Sequence, residues 1–240
     1  MGHWYTQEGL ACHYQENGKD TTLRHARKQG LVPSVTGILD ILDKPGLTNY
    51  IINRTIDAAW EAKDIPYALS EYSAFSKTIR DKSGEHSKNA RDKGSSIHKA
   101  LEDYANGIEP VEHKDIVKRV TEAIRDKFSD KANNLVPECT FSHRLGYGGA
   151  VDLSSPELIL DYKYKSDGLS KKMVYDSHIG QLTAYRYGLG YHEAKCGNVF
   201  ISDTDVEIVM IPEKDLEWGL DYFQLLLALW KHTKRYNSGF

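Results

Sequence analysis

Between residues 31 and 133 apolar positions recur at helical spacing, and from Leu135 the period changes to the alternation of strands. The entry Leu31-Val32-Pro33-Ser34-Val35-Thr36 predicts a helix with Ser34 or Thr36 as N-cap. Its apolar face is Ile38, Leu39, Ile41 and Leu42, and Lys44-Pro45-Gly46 ends it. A second helix is expected from about Leu47 to Lys63. Gly94 to Tyr104 reads as a helix that buries Ile97, Leu101 and Tyr104. Residues 112–133 read as another, with Ile116, Val117, Val120, Ile124 and Phe128 inward. Alternation predicts strands over 137–145, 149–154 and 157–165, followed by a helix over 171–190. A hairpin of Val199–Ser202 and Val206–Ile211 around Asp203-Thr204-Asp205 and a helix over 213–236 complete the chain. Residues 1–30 mix aromatics with Gly, Asn and Asp and read as short strands or hairpins.

Helices followed by a strand meander with one inserted helix predict a single α/β domain, a central mixed sheet flanked by helices. Its segments are a hairpin-like 1–30, a mainly helical 31–133, a sheet core with an inserted helix over 134–212, and a C-terminal helix over 213–240. No repeat, low-complexity tract or separating linker interrupts it. Residues 64–93 are richly charged, ending in Lys88-Asn89-Ala90-Arg91-Asp92-Lys93. Such runs are mostly solvated helix faces or loops, and a mobile basic flap over a polyanion is the second reading.

Composition narrows the function classes. A net charge of −3 gives no overall attraction to nucleic acid, so any basic surface must be local. Cys12, Cys139 and Cys196 are too scattered for a disulfide framework or zinc ribbon and too few for a four-cysteine iron–sulfur cluster. A reduced cytoplasmic setting is expected. The longest clear apolar run, Leu225 to Trp230, is far below the ~20 residues of a membrane span. No secretory pattern opens the chain, and the match of Met1 to Thr6 to a myristoylation pattern is read as a chance one.

The chemistry concentrates in residues 146–165, where two apolar-alternating runs flank a Ser154-Ser155-Pro156-Glu157 turn. Asp152 is on the first strand of this hairpin, Asp161 and Lys163 on the second. Alternation puts Asp161 and Lys163 on one face and Tyr162 on the other. Antiparallel pairing can bring Asp152 beside Asp161. Two carboxylates and an ammonium on an otherwise apolar hairpin are costly unless something pairs with them. A divalent metal on the carboxylates, with the lysine beside a reacting phosphate, accounts for all three. Gly148 and Gly149 before the first acid leave room for a backbone or phosphate, or else mark a bulge.

Each piece alone is weak, since Asp-x-Lys is usually a structural salt bridge. The order is more specific: Gly94-x-x-x-His98-x-x-x-Glu102 on a helix, Gly149-x-x-Asp152, Asp161-Tyr162-Lys163, then Gln181-x-x-x-Tyr185 on a helix. In this order the chain resembles the PD-(D/E)xK nuclease superfamily and, within it, the RecB-like and phage-type exonucleases. The Val32-Pro33-Ser34-Val35-Thr36 entry and the Ala90-x-x-x-Gly94 lead-in are similar too, and the resemblance covers roughly residues 31–190. It implies a restriction-endonuclease-like core and a Mg²⁺- or Mn²⁺-dependent DNA exonuclease with one or two ions. That activity would act in recombination, repair or end-processing, in the host cytoplasm if the protein is phage-encoded. By resemblance, Asp152 and Asp161 bind metal with the Tyr162 carbonyl and His98 as further ligands. Glu102 assists a second ion or supports His98. Lys163 orients or activates the attacking water, and Gln181 and Tyr185 position that lysine and the DNA. Ala150-Val151-Asp152 stands where the family name has Pro-Asp. A single-strand annealing partner and a homo-oligomer, such as a ring, are further implications; a membrane is not.

The physics agrees with those roles. Phosphodiester hydrolysis builds negative charge that a bound divalent ion offsets. Hard oxygens suit Mg²⁺, and a histidine nitrogen makes Mn²⁺ comparable. Lys165, Lys171 and Lys172, with the basic residues of 82–99, could contact phosphates. The alternatives are an endonuclease on the same site, a non-catalytic DNA-binding scaffold, and a carboxylate-pair sugar hydrolase. For the last, Lys163 is expected to depress both acid pKa values and spoil the general acid.

Overall fold

The predicted hairpin lies at the middle of a five-stranded sheet. The computed structural model describes residues 3–42, 45–63, 72–166, 168–169 and 174–238. In chain order the elements are β1 (Trp4–Tyr5), α1 (Leu23–Gln29), β2 (Val32–Pro33), α2 (Val35–Leu39), α3 (Pro45–Glu61), α4 (Tyr72–Ala105) and α5 (Lys114–Phe128). A 3-10 turn (Ser129–Asn134) leads into β3 (Val136–His143), β4 (Tyr147–Ser155), β5 (Leu158–Tyr164), α6 (Asp176–Gly188), β6 (Lys195–Ile201), β7 (Val206–Met210) and α7 (Glu213–Lys234). The sheet runs β3-β4-β5-β6-β7, antiparallel except for the parallel β5–β6 pair that α6 connects. The protein is thus α/β with a mixed sheet and flanking helices.

Contacts group the chain into two compact units, Met1–Ile41 with Ile97–Phe240, and Leu42–Ser96. In the larger unit each sheet face has its own apolar core. One face packs Val35, Ile38, Leu182, Tyr185, Phe223 and Trp230 from α2, α6 and α7 against Phe141, Val151 and Ile159. On the other, Ile97, Leu101, Val117 and Val120 from α4 and α5 pack against Leu153, Leu158, Leu160, Tyr162 and Val199. Full burial of each such side chain contributes roughly 1.5–3 kcal/mol. The smaller unit centres on Ala58, Ala62 and Ile79, with Phe75 packed beside them. A hydroxyl contact between Thr55 and Ser83 at 3.2 Å joins its two helices.

Most predicted elements are present, with instructive shifts. Ser34 is the N-cap of α2, its hydroxyl accepting from the Gly37 amide. The helix stops at Leu39, which leaves Leu42 exposed. Tyr104 is 41% exposed, not buried, because only Ile97, Ala100 and Leu101 of that turn meet the sheet. α5 ends at Phe128, where the backbone tightens into the 3-10 turn. β6 begins at Lys195, ahead of the predicted Val199. Residues 1–30 hold the expected short pairings, Tyr5 with Ala11 and Tyr14 with Asp20, and also α1, which the sequence pattern did not suggest. Met1, Gly2, Lys44, Lys171 and Lys172 lie outside the described residues. Among those described, all three cysteines are free and no helix is long and apolar enough to cross a membrane.

Candidate functional site

Strand alternation sends Asp161, like Ile159, to the α6 side of the sheet. The first turns of α6 bring Gln181 over it. Asp161 is 3% exposed, and three side chains donate to it. Gln181 Nε2 lies 2.8 Å from Oδ1, and Lys163 Nζ and Asn198 Nδ2 lie 2.7 and 3.2 Å from Oδ2. Gln181 Oε1 accepts from Lys163 Nζ at 3.0 Å, and its Nε2 also donates to the Tyr185 hydroxyl at 2.8 Å. One amide thus fixes the acid, the lysine and the tyrosine together. Burial raises the Asp161 pKa, Lys163 pulls it down, and the Asp152 charge pushes it up again; the net direction is upward. The depression expected of both acids therefore fails at Asp161, because desolvation outweighs the ammonium. Tyr185 is buried as well, and burial lifts its hydroxyl well above the ordinary tyrosine range.

Asp152 has different surroundings. The β4–β5 ladder ends at the Leu153–Leu160 pair. Beyond it Asp152 Oδ2 takes the Tyr162 N–H at 2.6 Å, so a side chain replaces the missing strand partner. In an extended residue the carbonyl leaves the chain on the same side as the N–H, so that of Tyr162 also points toward Asp152. Val151 belongs to one core and Leu153 to the other, although alternation would put both on one face. The phase slips at Asp152. Between the pairs Cys139–Val151 and Pro137–Leu153 its counterpart is Glu138, whose φ of 46° is left-handed. That conformation costs a non-glycine residue about 1–2 kcal/mol.

The slip turns Asp152 toward α4. Its Oδ1 lies 3.4 Å from His98 Nδ1, and the His98 ring stands edge-on to Tyr162 at 5.6 Å. Burial disfavours the His98 imidazolium, but the hydrogen bond and charge of Asp152, aided by Asp161, give a net upward shift. Glu102 pairs with Lys99 at 3.3 Å rather than with His98. Glu138, which the sequence did not single out, is pushed up to about 7, first by burial and then by the charges of Asp152 and Glu102. His98, Asp152, Asp161, Lys163, Gln181 and Tyr185 therefore form one connected group, with Glu102 and Glu138 at its acidic margin.

Three further findings bear on the expectations. Added Cβ atoms on Gly148 and Gly149 would meet Phe141 O at 2.7 Å and Tyr185 Cε1 at 2.9 Å. The room is thus taken by the Phe141 backbone, as one of the two expectations had it, and by the rings of Tyr5, Phe141 and Tyr185, not held for a phosphate, and the β3–β4 register runs through both without a bulge. Asn198 was missed because its strand was predicted to begin one residue later. It stands opposite Asp161 in the parallel ladder, and a polar residue inside the run Cys-Gly-Asn-Val-Phe-Ile was the available signal. For Glu138, a lone acid near a strand start, the local sequence carries no signal.

Among the described residues no three His, Cys, Asp or Glu side chains converge closely enough to hold a metal as they stand. The carboxylate oxygens face protein donors instead. The donor set nonetheless suits a hard divalent ion: two carboxylates, an imidazole, a backbone carbonyl, and Asn198 Oδ1, which is buried without a partner. No family model and no curated protein matches the sequence. Among solved structures, the crystal structure of SSO0001 aligns at 14% identity over 80% of this chain and 83% of that one, with a TM-score of 0.33. That likeness is too loose to bear on fold or function.

Proposed function

We propose that the protein is a Mg²⁺- or Mn²⁺-dependent deoxyribonuclease, an exonuclease in its main action, built on a restriction-endonuclease-like core. The observation that carries this reading is the buried Asp161–Lys163–Gln181 network facing Asp152 and His98 where β4 and β5 part. A structural salt bridge alone needs neither the second acid nor the imidazole. The mixed sheet, with its acids on adjacent central strands, supports the core assignment.

Asp152 and Asp161 would hold the ion, with the Tyr162 carbonyl and His98 as further donors. The ion would offset charge building on phosphorus and lower the pKa of the attacking water. The protein's own part is placement. Lys163, held by Gln181 and Asp161, presents an ammonium where a phosphate oxygen between the strands would need one. Gln181 and Asn198 fix the Asp161 carboxylate, and Tyr185 fixes Gln181. His98 fixes Asp152, and Glu102 is left to a peripheral role with Lys99. A sugar hydrolase with Asp161 as general acid gains from the raised pKa, yet the three donors around that carboxylate favour its ionised form. DNA is the partner this reading requires; an annealing protein and a homo-oligomer are implications of the resemblance.

The test is incubation with linear and circular duplexes and end-labelled single strands in Mg²⁺, Mn²⁺ or EDTA, beside Asp161→Ala. Metal-dependent loss of linear DNA, absent in the variant, is expected. Cutting of circles makes the enzyme an endonuclease. DNA binding without cleavage in any metal leaves a scaffold, and activity indifferent to EDTA removes the metal site.

A further inference from the structure

A third charged residue follows the acid and lysine of β5. Lys165 follows Lys163 by two positions, directly after the strand, and its amide donates to Ile201 O at 2.8 Å, extending the alignment with β6. Its ammonium packs against two aromatic rings. It lies 5.4 Å from the ring centroid of Tyr175, before α6, and 5.7 Å from that of Phe200 on β6. Among the described residues no carboxylate pairs with it. The two rings attract a cation but cannot neutralise it. Lys163, by contrast, is already engaged by Asp161 and Gln181. The site thus has one ammonium committed to the reacting centre and a second, half-buried, that no carboxylate among the described residues neutralises.

Spacing says what the second would hold. Residues two apart on a strand face the same way and stand about 6.6 Å apart. That is close to the separation of neighbouring phosphates along an extended polynucleotide strand. We propose that Lys165 is a substrate-binding residue that grips the phosphate next to the scissile one, with Tyr175 and Phe200 holding its ammonium in line with Lys163. This rests on the nuclease reading and deepens it. The substrate strand would run along β5 in single-stranded, extended form at the site, and at least one flanking phosphate would be required.

The experiment is fluorescence anisotropy of the full-length protein with labelled oligonucleotides in EDTA over a range of salt. Wild type, Lys165→Gln and Lys165→Arg are compared, each also assayed for cleavage with Mn²⁺. Losing one phosphate contact lowers the slope of log K against log salt by about 0.7 for single strands. Lys165→Gln is expected to show that drop and Lys165→Arg to keep the wild-type slope. A neutral methylphosphonate in place of the adjacent phosphate should weaken wild type and leave Lys165→Gln unchanged. If wild type cleaves DNA and Lys165→Gln binds with the same slope and affinity, this inference falls while the nuclease reading stands. If wild type neither binds nor cleaves DNA, both fall.

Discussion

Asp161 receives three side-chain donors in a closed pocket, whereas Asp152 on the neighbouring strand receives one backbone N–H and faces a half-buried imidazole. Around Asp161 the protein supplies the compensating charge and dipoles itself. Around Asp152 it gathers further acid, Glu138 and Glu102, against His98 and Lys99. The first acid is held by the fold. The second stands where an added cation would gain most, because the carboxylates there repel one another. The two halves also differ in origin: β5 and α6 hold Asp161 by regular strand and helix geometry, and Asp152 is placed by the break in that regularity.

The largest expected effect of the contrast is on stability. Lys163→Met leaves a buried carboxylate without its counter-charge and should cost about 3 kcal/mol in urea unfolding at pH 7. Asp152→Asn keeps an oxygen for the Tyr162 amide and should cost less than about 1 kcal/mol. Equal losses in the two variants would abolish the distinction between the acids. Gln181→Leu comes next. It removes donors from Asp161 Oδ1 and the Tyr185 hydroxyl and an acceptor from Lys163, for about 1–3 kcal/mol. If the network positions Lys163, cleavage by this variant should fall in kcat with little change in KM. A purely structural role would lower the midpoint of unfolding and leave the kcat of the folded fraction intact.

How far this could be read from the sequence follows the same division. Asp161, Lys163, Gln181 and Tyr185 sit in periodic elements, so alternation along β5 and the i, i+4 spacing on α6 placed them on facing surfaces. Their long-range partners were less visible. Asn198 depends on the parallel register of β6, set by a crossover rather than a turn, and its strand start was misjudged. Glu138 depends on a left-handed residue that propensity disfavours, so no local rule puts it beside Asp152. The glycines before Asp152 leave room for a backbone or a phosphate, and the sequence cannot show that the Phe141 backbone and neighbouring aromatic rings take it. α1 was missed because in seven residues only Ala26 is buried, too few for a period to register.

The smallest effect concerns Glu138 and has a definite sign. Its folded-state pKa is raised from the usual carboxylate value to about 7. Between about pH 4.5 and 7 the native protein therefore keeps a proton that the unfolded chain has released, and stability falls as pH rises through that window. Glu138→Gln removes the titration and preserves the side-chain shape and the left-handed backbone. Its melting temperature should match wild type near pH 4 and rise progressively above it up to pH 7, then hold a constant lead. The group is half-exposed, so solvent screening keeps the lead small. A lead already present at pH 4 would point to packing instead. A wild type more stable than the variant at pH 8 would mean that the acids around Asp152 are neutralised by the protein, and the contrast with Asp161 would vanish.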